Sequence, residues 1–183
     1  YEIQGAAHSS PYVGQVVNTA GIVTATDSNA IYVQDPLGDS DDATSDAIFV
    51  YTGTGHGLQI GDAVVIKGAV SEFVPGGSAT GNLAITEFYR PEITVESSGN
   101  MLPAPVPIGQ GGRVPPSEVI DDDQLAEFDP ASDGIDFYES LEGMLVTLED
   151  AVAVSPTNRF GEIFALANQG VGASGRNERG GIT

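Results

Sequence analysis

Between Gln15 and Phe73 the chain repeats one pattern, a short run rich in Val, Ile and Thr that is closed each time by Gly, Asp or Asn. β-Branched side chains are stiff at χ1 and fit a pleated surface, whereas Gly, Asn and Asp supply the backbone freedom and local hydrogen bonds of turns. Residues 15–25 (QVVNTAGIVTA) alternate apolar and polar, and Ala30 to Gln34 follow directly after the turn residues Asp27-Ser28-Asn29. Ala47 to Thr52 reads as a third strand, and Gly61-Asp62 turns the chain into a fourth at Ala63 to Phe73. Leu83 to Glu87 and Glu92 to Glu96 add shorter strands around Arg90-Pro91. The expectation is an all-β chain with few short helices. Strongly coiled strands in this order, with Gly68 marking a bulge or bend in a long one, predict a small closed barrel of the OB type over residues 1–97. The periodicity alone also fits a β-sandwich.

The composition then changes. Ser98 to Pro116 is rich in Pro and Gly (LPAPVPIGQGGRVPP), which predicts an extended arm. Ser117 to Asp150 holds 12 of the 26 acidic residues and no Lys or Arg. Pro116–Asp123 and Ile135–Leu141 are its plausible short helices, so residues 98–139 read as an arm followed by an acidic segment. Glu142 to Val154 echoes Gly14 to Ala25, with a Gly opening the strand and a Thr on its polar face. The echo predicts the start of a second OB-like β unit over residues 140–183, and Ser174 to Thr183 reads as a loop entering a further strand, as in an excerpt of a longer chain.

Charge bounds the partners. A formal net charge of -20 opposes non-specific attraction to phosphate backbones or anionic membranes. No apolar run reaches the roughly 18 residues of a membrane-spanning helix. The absence of Cys in an acidic, Lys-poor chain fits a bacterial extracellular or cell-surface protein, where calcium takes the place of disulfides as a cross-link.

The segment 34–46 (QDPLGDSDDATSD) carries five carboxylates and no basic residue. Asp35, Asp39, Asp41 and Asp46 are spaced so that carboxylates and intervening carbonyls can converge on one hard cation, and Ca2+ is the expected ion. The pattern is not an EF-hand, and an Asx-turn-rich hairpin facing water would use the same residues. The second cluster, Asp121 to Asp123 with Asp129, Asp133 and Asp136, is expected to supply solvated helix caps rather than a site. His8 and His56 have no partner at metal-site spacing and read as surface or turn histidines. The glycines of Gly53-Thr54-Gly55-His56-Gly57 belong to no phosphate-binding motif, and no catalytic triad stands out. Tyr12, Tyr32, Phe49, Tyr51 and Phe73 fall on the barrel strands, where core packing is the first expectation. Stacking of bases by Tyr32 and Tyr51, with Lys67 and Arg90 as the nearby cations, is the functional alternative.

Several longer segments resemble one family. Residues 3–12 (IQGAAHSSPY), 31–36 (IYVQDP) with Gly38-Asp39 and Thr44-Ser45-Asp46, 70–73 (VSEF), 97–100 (SSGN), 111–116 (GGRVPP), 128–130 (FDP), 133–144 (DGIDFYESLEGM) and 156–158 (PTN) are similar to the OB-like N-terminal accessory region of large secreted bacterial nucleases. In that family the region precedes an endonuclease/exonuclease/phosphatase catalytic domain. The resemblance implies a non-catalytic, calcium-stabilised module that positions nucleic acid or docks the catalytic domain of the same polypeptide, with weak or no direct nucleic-acid binding of its own. Mg2+ or Mn2+ would then belong to that catalytic domain, because this chain carries none of the hydrolase signatures. Where the family often has Gly-Asp-Gly-Asp, this chain has Gly38-Asp39-Ser40-Asp41. A calcium-dependent adhesion or carbohydrate-binding module of a surface protein is the rival expectation.

Overall fold

The computed structural model describes residues 1–159 and 161–182. Its centre is a five-stranded barrel built from β1 (Val16–Thr26), β2 (Ala30–Gln34), β3 (Ala47–Tyr51), β4 (Ala63–Phe73) and β5 (Ile85–Tyr89), with β6 (Glu92–Ser97) added along β4. The strands are hydrogen-bonded in the order β1-β2-β3-β5-β4, and β4 returns to β1 to close the ring. Every contact in the ring is antiparallel except β3 with β5, which is parallel. That closure by one parallel pair is the OB arrangement expected from the sequence, and it excludes the sandwich.

Closure follows from two long strands that each serve several neighbours. β1 pairs with β4 from Val16 to Ile22 and with β2 from Ile22 to Thr26. Gly21 sits where it changes partner, and a Cβ there would lie 2.7 Å from the Gln34 carbonyl oxygen and 2.8 Å from Val33 Cγ1. Only glycine lets the backbones approach so closely. β4 pairs with β6 up to Lys67 and with β5 from Val70. Gly68 is the hand-over point, where a Cβ would meet Pro91 Cβ at 2.7 Å. Of the bulge or bend expected there the bulge is excluded, since the register shifts fall between Val23 and Ala25 and between Ala63 and Val64.

Inward-facing residues alternate along the strands to form one core: Val23, Ile31, Val33, Ile48, Val50, Val64, Ile66, Val70 and Phe88. Phe88 is fully buried and, among the described residues, is its sole aromatic member. The strand aromatics expected in the core are elsewhere. Tyr32, Phe49 and Tyr51 have the parity opposite to Ile31, Val33, Ile48 and Val50 and so lie on the outer face, Phe73 is exposed, and Tyr12 alone packs against the core edge.

The arm does not simply run over the surface. It contributes β7 (Val106–Ile108), which pairs in parallel with β8 (Val146–Leu148), and Ile108 joins Phe137 and Leu141 in a second, smaller core edged by Val106 and Met144. Helix α1 (Gly134–Glu139) overlaps the expected Ile135–Leu141, starting one residue earlier and ending two sooner, but Pro116–Asp123 is not helical and is held by Asx turns instead. The strand expected at 142–154 is split by a turn into β8 and β9 (Val152–Ala153), and β9 pairs with β10 (Ala165–Leu166). None of the helices among the described residues is long and apolar enough to cross a membrane.

Candidate functional site

Barrels of this type take elongated ligands on the face of β2 and β3 and at the adjoining loops, and β5 lies next to β3 on that side of the sheet. Tyr51 lies beside Tyr89 in the parallel register of β3 and β5, and the two rings stack with centroids 5.3 Å apart and planes inclined by 23°. Arg90 continues the stack, its guanidinium carbon 5.5 Å from the Tyr89 centroid. Arg90 adopts a left-handed backbone (φ 48°) and donates its N–H to the Tyr51 carbonyl at 2.7 Å, which turns the chain out of β5 and places the side chain over the ring. Tyr89 and Arg90 are exposed and Tyr51 is half-buried.

Tyr32 is on the same face but is not equally free. It makes an edge contact with Phe49 at 5.2 Å, and Gly143 packs so closely that a Cβ there would be 3.3 Å from the Tyr32 ring. Burial, reinforced by Glu142 and Asp27, raises its phenol above the ordinary value. Lys67 is exposed on β4, paired with Asn18 of β1 and Glu92 of β6, away from the stack. Of the four residues proposed from sequence for nucleic-acid contact, the fold brings Tyr51 and Arg90 together, half-covers Tyr32 and leaves Lys67 apart. Tyr89 was missed, although its place next to Arg90 in a β-rich run was a usable signal.

In the loop between β2 and β3 the carboxylates act as backbone acceptors. Asp35 Oδ1 accepts from Leu37 N, Asp39 Oδ1 from Asp41 N, Asp41 Oδ1 from Ala43 N, each at 2.9 Å, and Asp46 Oδ1 accepts from Asp39 N at 3.2 Å. Thr44 Oγ1 adds a bond to Asp39 Oδ2 at 2.8 Å. The ends are tied by Asp35 N to the Asp46 carbonyl. Burial, and then the neighbouring Asp39, raises the Asp46 carboxyl above its ordinary value. Among the described residues, the one acidic or histidine group whose ligand atoms all lie within 4.8 Å of one another is Asp121, Asp123 and Asp133, not this loop.

A third constellation locks the barrel to its appendages. Glu142, just beyond α1, accepts from Thr86 N of β5 at 3.1 Å and from Gln4 Nε2 at 3.3 Å, while Gln4 Nε2 also reaches the Ala47 carbonyl. Ser45 Oγ donates to the Glu142 carbonyl at 2.6 Å, and Leu145 N donates to Gln34 Oε1 at 2.8 Å. Glu72 accepts from Ser10 N and Thr86 Oγ1. Burial pushes the Glu142 carboxyl up to about 8 and that of Glu139 to about 7, with Glu72 and other carboxylates adding repulsion. His8, expected at the surface, instead pairs with the fully buried Asp136 at 2.6 Å and packs edge-on against Phe128. His56 does close a turn, through Leu58 N and the Asp27 carbonyl. Both Glu139 and Glu142 border an apolar cleft of about 360 Å³ with Leu83, Ile135 and Tyr138.

Residues 107–183 match the model of a family described as a domain of unknown function, DUF8508. No curated protein matches the chain. The family match begins inside β7 and takes in α1 and β8 to β10, so it covers the second core and not the barrel.

Proposed function

We propose that this chain is a non-catalytic accessory module of a secreted nuclease or phosphodiesterase, which uses the stack of Tyr51, Tyr89 and Arg90 to hold single-stranded nucleic acid for the catalytic domain of the same polypeptide. The stack carries the reading. Two stacked phenols with a guanidinium over one of them form a platform for bases, and each base stacked on an aromatic ring gains about 1–3 kcal/mol. Its position on β3 and β5 of an OB barrel, and the sequence resemblance to nuclease accessory regions, both favour that ligand over a protein helix. One guanidinium in a chain of charge -20 gives little backbone attraction, so binding should be weak and nearly insensitive to salt.

The test is fluorescence anisotropy with a labelled oligothymidylate. The expected result is a Kd in the high micromolar range or weaker, with a Tyr89→Ala change reducing affinity about tenfold, the equivalent of one lost stacking contact. In the full-length enzyme the same change should raise KM for single-stranded substrate and leave kcat unaltered. Unchanged KM and unchanged binding would refute the positioning role. Glycan binding by the wild type, with none to oligonucleotide, would turn the assignment to a carbohydrate-binding module.

A further inference from the structure

We propose that Asp121, Asp123 and Asp133 form a binding site for one hard divalent cation, with Ca2+ the best fit. One oxygen from each carboxylate lies within 4.8 Å of the others. Oxygens bound to one Ca2+ at about 2.4 Å can be no further apart than about 4.8 Å, so the three carboxylates meet the spacing that a shared ion requires.

Proximity among acidic residues is not enough, and Asp133 supplies the independent observation. It is only 4% exposed, and its Oδ1 has no hydrogen-bond partner. It occupies the N-cap of α1, where a carboxylate ordinarily accepts an N–H from the first turn, yet its side chain makes no such bond. The position is fixed from the backbone: Gly134 N and Ile135 N, which follow it, both donate at 3.1 Å to the carbonyls of Val119 and Ile120, which lead into Asp121. Asp121 and Asp123 are aimed by their own bonds, Asp121 Oδ1 accepting from Asp123 N and Leu125 N and Asp123 accepting from Ala126 N and Glu127 N. A buried carboxylate that has an oxygen without a donor and lies within ligand reach of two further carboxylates is stable only when a positive charge or a proton stands among them. No Lys or Arg occurs anywhere from Ser117 to Asp150. Three carboxylates, with Asp121 and Asp123 partly open to solvent, suit Ca2+, which takes several carboxylate oxygens in flexible geometry, better than Mg2+, which usually keeps most of its waters and takes one or two. The site would tie the acidic segment to the start of α1 in a module of any parent protein, so it stands apart from the nuclease reading.

The experiment is calorimetric titration of the EDTA-treated 183-residue chain with CaCl2, then with MgCl2, alongside thermal unfolding in both. The expected result is one Ca2+ per chain, a Ca2+-selective rise in melting temperature, and a loss of affinity of tenfold or more in Asp133→Asn and in Asp121→Asn, with Asp39→Asn plus Asp41→Asn unaffected. In EDTA, Asp133→Asn should melt at or above the wild-type temperature, because a repelled charge has been removed, so its lost Ca2+ response would not be misfolding. Asp121→Asn keeps its Oδ1 acceptor and decides the matter if Asp133→Asn fails to fold. A wild type that binds no Ca2+ overturns the proposal and leaves a protonated Asp133. Binding that survives both single changes, or that is abolished by the loop pair alone, overturns it as well.

Discussion

Glu142 makes the fold sensitive to pH in an unusual direction. Its carboxyl is pushed up to about 8 from an ordinary 4.5, mainly by burial between β5, the N-terminal segment and α1. A carboxyl raised in this way binds its proton more tightly in the folded than in the unfolded chain. Its stabilising contribution is therefore complete below the unfolded value, declines as pH rises and is gone above the folded value. Each unit of difference corresponds to about 1.36 kcal/mol, so complete ionisation costs on the order of 5 kcal/mol. Between pH 6 and 9, where ordinary carboxylates are already ionised in both states, linkage assigns about 3 kcal/mol of that loss to Glu142. Glu139, raised to about 7, acts in the same sense. For a chain of this length the Glu142 share corresponds to a fall in melting temperature of roughly 10 °C across that window. Glu142→Gln is the informative change. The amide oxygen keeps an acceptor for Thr86 N and for Gln4 Nε2, and the titration disappears. Thermal unfolding from pH 6 to 9 should show a shallower slope in the variant, with the variant more stable than wild type at pH 9. A variant with the wild-type slope, or one less stable at every pH, would mean that Gln4 and Thr86 hold Glu142 as a carboxylate, and the burial argument would fail.

Two further outcomes test the packing. Phe88→Ala removes the one aromatic side chain of the barrel core and should cost about 3–5 kcal/mol, read as a lower urea midpoint. Arg113→Ala should cost about 1–3 kcal/mol, because its Nη2 donates at 2.8 Å to both the Asp42 carbonyl and Ser140 Oγ while its guanidinium lies 4.8 Å from the Phe137 centroid. Arg113→Lys should not restore it, since a single ammonium cannot reproduce the planar stack on Phe137.

The barrel was legible because its strands obey a local rule. β2 and β4 begin and end where alternation and turn residues put them, since a half-buried strand needs that alternation and little else. Which face is inside was not legible for the aromatics. Tyr32 and Phe49 have the size of core residues, but parity with Ile31 and Val50 sends them outward, and the core aromatic is Phe88, on a strand drawn too early along the chain. The helix expected at Pro116–Asp123 failed for a related reason: Asp121 and Asp123 offer their carboxylates to nearby N–H groups and so stabilise a tight loop instead. The contacts of the buried carboxylates were invisible, because they join residues far apart in the chain. Nothing near His8 announces Asp136, and nothing near Gln4 announces Glu142, which lies 138 residues away.

Those long-range contacts decide how much of the barrel face can meet a ligand. The segment from Glu142 to Leu145 is drawn onto β2 and β3 by Ser45, Gln34 and Gln4, and Gly143 lands on Tyr32. What remains exposed is the end of the face at Tyr89 and Arg90, with Tyr51 half-buried beside them. A side chain at position 143 would have to displace Tyr32, because a Cβ there would already be 3.3 Å from its ring, and the backbone at Gly143 is left-handed (φ 71°). Glycine is therefore required at that position both by the turn and by the contact. The same residue sits beside Glu142, so ionising Glu142 at high pH loosens the contact that covers Tyr32. Alkaline pH should thus expose more of the aromatic face at the same time as it weakens the fold. Glu142→Gln separates the two effects, because in that variant Tyr32 should stay covered at pH 9; the chain has six tyrosines, so the accessibility of Tyr32 is read as the difference in acrylamide quenching between each protein and its Tyr32→Phe counterpart.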